Sequence, residues 1–187
     1  SFCGPVWGLH MKEVSCGNGI IVLTQDDITR VQADAVVTAC ASCGLTFQRE
    51  YPRLLAPLGK RMVPVVDIHA FLAGKIAGLD LARGNLQIAW HDPCHLGRGQ
   101  GLGCTARSVL RDLPGLSLIE LEEPSRCCGF GGVMRATHPA FSQQIGNAKA
   151  RDIIATGAPV VATGCPGCMI QITDSLRRAG SDIEVLH

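Results

Sequence analysis

Val160-Val161-Ala162-Thr163-Gly164-Cys165-Pro166-Gly167-Cys168 joins a short β-branched run to a CxxC, with a proline placed to open a helix. The run reads as a buried strand, and proline suits a first helical turn because no N–H is needed there. The cysteines therefore sit where a strand hands over to a helix. The same join recurs at an offset of 125 residues, where Val36-Val37-Thr38 leads into Cys40-Ala41-Ser42-Cys43 and Cys3-Gly4 superposes on Cys128-Gly129. Such a period assigns the chain two copies of one unit. We place the first repeat at residues 1–84, without its opening part, and a complete second repeat at residues 85–187. A repeat that begins in mid-motif cannot close its own core, so the chain is expected to belong to a longer protein. The alternative is a short natural subunit.

In the second repeat Leu86 to His91 reads as a strand closed by Asp92-Pro93, so that Cys94 stands at its end. Leu116 to Leu121 is a second strand ending before Arg126-Cys127-Cys128-Gly129. Helices are expected from Ala106 to Leu113, from Thr137 to a stop at Gly157, and from Pro166 onward. The long middle helix should present Phe141, Ile145, Ala148 and Ala155 on one face. In the first repeat, strands at Ala35 to Thr38 and Val63 to Val66 accompany helices at Ser42 to Tyr51, stopped by Pro52, and at Ile68 to Ile76. Gly19 to Thr24 reads as a strand and Asp26 to Val31 as a helical turn, although the repeat predicts a helix in this region. Strands alternating with helices imply an α/β fold with largely parallel sheets, whose ligands gather at the carboxyl ends of the strands. Cys94, Cys127, Cys128, Cys165 and Cys168 all fall at such ends.

The spacing C-x32-CC-x36-CxxC brings together more thiols than a tetrahedral zinc needs. Soft thiolates without carboxylates suit iron–sulfur chemistry. Three bland or rival readings stand beside this one: buried structural thiols, a thioredoxin-like pair at Cys165 and Cys168, and a zinc-stabilised interaction module. The first repeat offers only Cys3, Cys40 and Cys43, with Phe2 where the other member of the adjacent pair would stand, so zinc or no metal is expected there. Gly97, Gly99, Gly101 and Gly103 do not form a dinucleotide fingerprint and are expected to let backbone run close to the cluster. His91 and His95 are expected to be satisfied hydrogen-bonding residues rather than ligands. Arg126 is expected to offset thiolate charge, and Cys16 and Cys104 to be ordinary thiols.

The chain has 187 residues, 47% of them apolar, and a formal charge of +1, which fits a globular protein with a real core and names no nucleic-acid partner. Its longest apolar runs fall far short of the ~20 residues of a bilayer span. Ten cysteines in a chain of this size, some at CxxC spacing, favour metal or redox use in a reducing compartment over a disulfide scaffold. A cytoplasmic location is expected, or a peripheral one on the inner face of a membrane.

His91-Asp92-Pro93-Cys94-His95-Leu96, Arg126-Cys127-Cys128-Gly129-Phe130-Gly131-Gly132 and Thr163-Gly164-Cys165-Pro166-Gly167-Cys168 together resemble the cysteine-rich CCG domain. That domain occurs in a subunit of heterodisulfide reductase and in iron–sulfur subunits of glycolate, lactate and glycerol-3-phosphate oxidising complexes. The Cys94-His95-Leu96 stretch, Thr137-His138-Pro139 and Arg177-Arg178-Ala179-Gly180 look most similar to the glycolate oxidase iron–sulfur subunit and related lactate dehydrogenase subunits. The resemblance implies an iron–sulfur cluster, of the [4Fe-4S] type, at Cys94, Cys127, Cys128, Cys165 and Cys168. It also implies electron transfer between a flavoprotein dehydrogenase partner and an acceptor, with a ferredoxin-like segment or subunit nearby. The ferredoxin cysteine run that usually precedes the domain in full-length relatives does not occur in these 187 residues.

Overall fold

The computed structural model describes residues 34–59 and 63–187. The elements expected between residues 5 and 33, together with Phe2, Cys3 and Cys16, lie outside the described residues. In the first repeat, β1 (Val36–Thr38) leads into α1 (Ala41–Leu55), and β2 (Val65–Asp67) leads directly into α2 (Ile68–Leu72). β1 and β2 pair in parallel, Val36 with Val65 and Thr38 with Asp67. α1 runs past the expected stop at Pro52. The proline costs one bond near the helix end, and the last turn is kept by the Ala56 N–H donating to the Pro52 carbonyl and by burial of Leu55. α2 is shorter than expected. Asp67 caps it, its carboxylate accepting from the His69 N–H at 2.9 Å, and Gly74 turns the chain away two residues after it ends.

The second repeat builds a four-stranded parallel sheet. Its strands are β3 (Leu86–Trp90), β4 (Leu116–Glu120), β5 (Val160–Ala162) and β6 (Glu184–Leu186), in the order β4-β3-β5-β6. β5 is buried throughout, as is β3 from Ile88 to Trp90, which is why both read as continuous apolar runs; β4 and β6 are edges and partly exposed. β6 was not expected from the sequence. Its burial is partial and its three residues carry no turn signal strong enough to mark them. The register sets Ile88 beside Val160 and Trp90 beside Ala162, so the two central strands end level. His91 then donates its backbone N–H to the Ala162 carbonyl at 3.0 Å.

Helices α3 (Gly103–Arg111), α4 (Met134–Thr137), α5 (Pro139–Ala155) and α6 (Pro166–Arg178) complete the repeat. α6 buries Cys168, Gln171, Ile172, Ser175 and Leu176, the stripe expected of an amphipathic helix. α5 corrects the expected face. Phe141 is exposed, and the buried residues are Ser142, Gly146, Lys149, Ala150 and Ile153. Close helix contact selects the small side chains here, since a Cβ on Gly146 would stand 2.7 Å from Gln171 Nε2 of α6. Each fully buried aliphatic residue of this core, Ile153, Ile172 and Leu176 among them, contributes about 1.5–3 kcal/mol.

The two repeats meet along α1. Arg49 Nη2 donates to the Gly99 carbonyl at 2.8 Å and Gln100 Nε2 to the Ala41 carbonyl at 3.0 Å. A Cβ on Gly99 would lie 2.6 Å from Leu45 Cδ2. At this position the glycine run after Cys94 serves to bring α1 close, instead of bringing backbone to the cysteines. Between Cys94 and α3 the chain forms a π-helical turn over His95–Gly99, a distortion that often accompanies functional sites.

Candidate metal centre

Strand ends from both repeats converge on one group of thiols. β1 delivers Cys40 and Cys43 at the start of α1, β3 delivers Cys94, the loop after β4 delivers Cys127 and Cys128, and β5 delivers Cys165 and Cys168 at the start of α6. The first-repeat pair is not remote from the rest. The Ala41 N–H donates to the Gly164 carbonyl at 3.0 Å, and Ser42 Oγ lies 3.4 Å from Cys165 Sγ. Cys128 Sγ and Cys168 Sγ are 3.4 Å apart, and all eight cysteines among the described residues are free thiols.

Each CxxC lies at a helix start, where backbone N–H groups point at the sulfurs and the helix dipole favours negative charge. Cys40 Sγ accepts from the Cys43 N–H at 3.5 Å. In the Cys-Cys loop, Cys127 Sγ accepts from the Gly129 N–H at 3.4 Å and Cys128 Sγ from the Phe130 N–H at 3.5 Å. These bonds stabilise thiolates rather than thiols.

The thiols share protons unevenly. The bond to Cys127 pulls Cys128 down, aided by Cys168, while Cys127 is pushed up by Cys128 and Cys168 by Cys128 and then Cys165. Cys165 is drawn down by Cys168 and then Cys40, and Cys43 falls to about 7 through its bond with Cys40. Burial raises Cys94, with the charges of Cys128 and Cys165 adding to it. Metal binding at such a set would release its remaining protons.

The loop that presents Cys127 and Cys128 is held from below. Gly129 adopts φ +94°, and a Cβ there would stand 2.5 Å from the Ser142 carbonyl of α5, so only glycine fits without strain. Ser142 Oγ donates to the Gly129 carbonyl at 2.7 Å. Lys149, fully buried, donates to the Glu123 carbonyl at 2.6 Å and pairs with Asp152 at 3.0 Å. Arg126 does not serve the thiols as expected: it pairs with Glu123, because that carboxylate three residues earlier is its nearest countercharge. Arg98, which donates to the Ser125 carbonyl at 2.6 Å, only partly offsets the rise that burial gives Cys94.

Asp92 is withdrawn from the site. Its carboxylate accepts from Trp90 Nε1 at 2.7 Å and from both terminal nitrogens of Arg107, which also binds Glu120. Among the described residues, sulfur and imidazole are the donors left facing this group. His95 Nδ1 meets Ser42 Oγ at 2.7 Å, as expected of a satisfied histidine. His91 is buried, and among the described residues neither ring nitrogen meets a nitrogen or oxygen; its ring faces the Cys128 sulfur instead and helps to draw that thiol down. Cys104 is exposed on α3.

Two features of the site carried no separate signal in the sequence. Ser42 stands inside its CxxC as an ordinary small residue. Asp67 and His69 close on each other only because β2 runs straight into α2, with Asp67 Oδ1 2.7 Å from His69 Nδ1. The His69 ring then abuts Gly164, where a Cβ would lie 2.8 Å from its Cε1.

The cysteine-rich domain family, CCG, matches residues 2–48 and 88–173. The chain belongs to the CCG cysteine-rich domain family. One subunit of the fumarate reductase (CoM/CoB) of Methanothermobacter marburgensis is 35% identical over 186 residues, covering 94% of this chain and 37% of the relative. One subunit of the dihydromethanophenazine:CoB–CoM heterodisulfide reductase of Methanosarcina barkeri is 33% identical over 199 residues, covering 95% and 48%. Lactate utilization protein A of Oceanobacillus iheyensis is 27% identical over 165 residues, covering 83% and 66%. The chain thus spans about a third to a half of the first two of these relatives. This CCG domain is related to subunits of reductase complexes and to iron–sulfur proteins. The two matched stretches each contain one strand-to-CxxC-to-helix join of the fold above. No helix among the described residues is long and apolar enough to cross a membrane.

Proposed function

We propose that the chain is an iron–sulfur electron-transfer module of a multi-subunit oxidoreductase. Cys94, Cys127, Cys128, Cys165 and Cys168 would hold a cluster of the [4Fe-4S] type, and Cys40 and Cys43, with Cys3, zinc or no metal. The observation that carries this reading is the convergence of thiols from four strand ends, with Cys128 and Cys168 in sulfur contact and the nearby carboxylate of Asp92 already engaged. When bound, the cluster supplies reversible one-electron chemistry. The chain's own residues hold the thiolates, donate backbone N–H bonds to Cys127 and Cys128, and wall off water with Trp90, Leu96 and Ile172.

Electrons would come from a flavoprotein partner that oxidises a 2-hydroxy acid such as glycolate or lactate, and leave through a ferredoxin-like segment or subunit, in the cytoplasm or at the inner membrane face. The motifs around Cys94, His138 and Arg177 support this assignment, as does the likeness to a lactate utilization protein. A second reading is that the same thiols serve a disulfide substrate. It is favoured by the exposed Cys43 beside the buried group and by the higher identity to a heterodisulfide reductase subunit.

The test is iron, zinc and acid-labile sulfide analysis of anaerobically purified protein, with its visible spectrum and anomalous scattering at both metal edges. Iron with sulfide at the five-cysteine set is the expected result. Colourless, iron-free protein with stoichiometric zinc would overturn it. Bleaching by lactate or glycolate with the flavoprotein subunit, against reoxidation by added disulfide, separates the two substrates.

A further inference from the structure

His91 leaves the end of β3 and is 1% exposed. A neutral imidazole carries one N–H to donate and one lone pair to fill; among the described residues no nitrogen or oxygen meets either ring nitrogen of His91, and its polar neighbour is the sulfur of Cys128, whose thiolate it stabilises. The backbone of the residue is fixed by its bond to the Ala162 carbonyl at 3.0 Å. The side chain therefore cannot escape its surroundings by a shift of the strand. One of its ring nitrogens lies in a group with Cys128 Sγ and Cys168 Sγ whose members are all within 4.8 Å of one another, and all three residues are buried. The three come from three separate places, the end of β3, the Cys-Cys loop and the first turn of α6. No carboxylate of the described residues joins this group, since Asp92 faces Trp90 and Arg107. His95, the other histidine beside Cys94, is already bonded to Ser42.

We propose that His91 is a nitrogen ligand of the metal group bound at Cys128 and Cys168, forming the buried floor of a mixed sulfur and nitrogen site. The inference rests on the iron–sulfur reading above. It accounts for a buried histidine whose ring, among the described residues, meets sulfur alone where Cys128 and Cys168 come into contact. It also has an electronic consequence. A neutral imidazole joins the five thiolates without adding the negative charge that a sixth thiolate would bring, which keeps the reduction potential of the cluster higher than a cysteine there would.

The test uses the full chain, purified anaerobically with ¹⁵N-labelled histidine, and pulsed electron paramagnetic resonance of the reduced protein. The expected result is a strongly coupled histidine nitrogen that is retained in H95Q and lost in H91C. H91C should keep its iron and sulfide, because cysteine restores a donor, and should show a lower reduction potential. H91Q should lose cluster iron on exposure to chelator faster than the parent. Intact iron and sulfide in the parent with no nitrogen coupling, or only the weak coupling of a hydrogen-bonded imidazole, would overturn the proposal and leave the iron–sulfur reading standing. Loss of the coupling in H95Q instead of H91C would also overturn it. Iron-free parent protein would overturn both.

Discussion

Replacing Gly129 with alanine tests whether the third residue of Cys127-Cys128-Gly129 is demanded by backbone geometry. Two costs add. A non-glycine residue at φ +94° carries strain of about 1–2 kcal/mol. The new methyl would also stand 2.5 Å from the Ser142 carbonyl and 3.1 Å from the Gly146 nitrogen, and neither backbone atom can give way without moving α5, an overpacking cost of roughly 1–3 kcal/mol. Gly132→Ala separates the two, because Gly132 has φ +60° but nothing within 4 Å of its would-be Cβ. It should show the strain alone, about 1–2 kcal/mol. For a domain of this size 1 kcal/mol shifts the melting temperature by roughly 2–4 °C. Thermal unfolding under anaerobic conditions should therefore place Gly132→Ala about 2–8 °C below the parent and Gly129→Ala about 4–20 °C below. Gly129→Ala should also lose bound metal, since the Gly129 N–H that meets Cys127 moves with the loop. A Gly129→Ala protein that melts with Gly132→Ala and keeps its metal would refute the argument from close approach.

Cys127→Ser and Cys128→Ser should each abolish the cofactor colour while Cys104→Ser retains it, because Cys104 is exposed on α3 away from the thiol group; equal loss from all three would remove the argument. Arg107→Ala leaves Asp92 with the Trp90 N–H alone and should destabilise by about 3–5 kcal/mol in denaturant unfolding. Lysine at that position should rescue little, since it cannot make the forked bonds to Asp92 and Glu120, and full rescue would show that charge alone suffices. Lys149→Met leaves the half-buried Asp152 carboxylate with the Glu122 N–H alone and the Glu123 carbonyl without its lysine, with an expected loss of about 3–5 kcal/mol. Adding Asp152→Leu should recover part of it, and a further loss instead would argue against a desolvation origin.

The sequence by itself determined the repeating join of strand, CxxC and helix, the parallel α/β class and the candidate thiols. These follow from local signals: β-branched runs, a proline that suits only a first turn, and cysteines at a fixed offset. It missed the buried face of α5, where apolar residues at helical spacing pointed to Phe141 and the fold instead chose Ser142, Gly146 and Lys149. The reason is that close packing against α6 and the Cys-Cys loop rewards small or hydrogen-bonded side chains, which no pattern of hydropathy marks. It also could not choose a partner for Arg126, because its pairing with Glu123 depends on the path of the loop. Tertiary structure alone set Cys40 and Cys43 against Cys165. It also set the buried ring of His91 against Cys128 and Cys168, since strand register and the docking of α1 decide which side chains from distant strand ends meet.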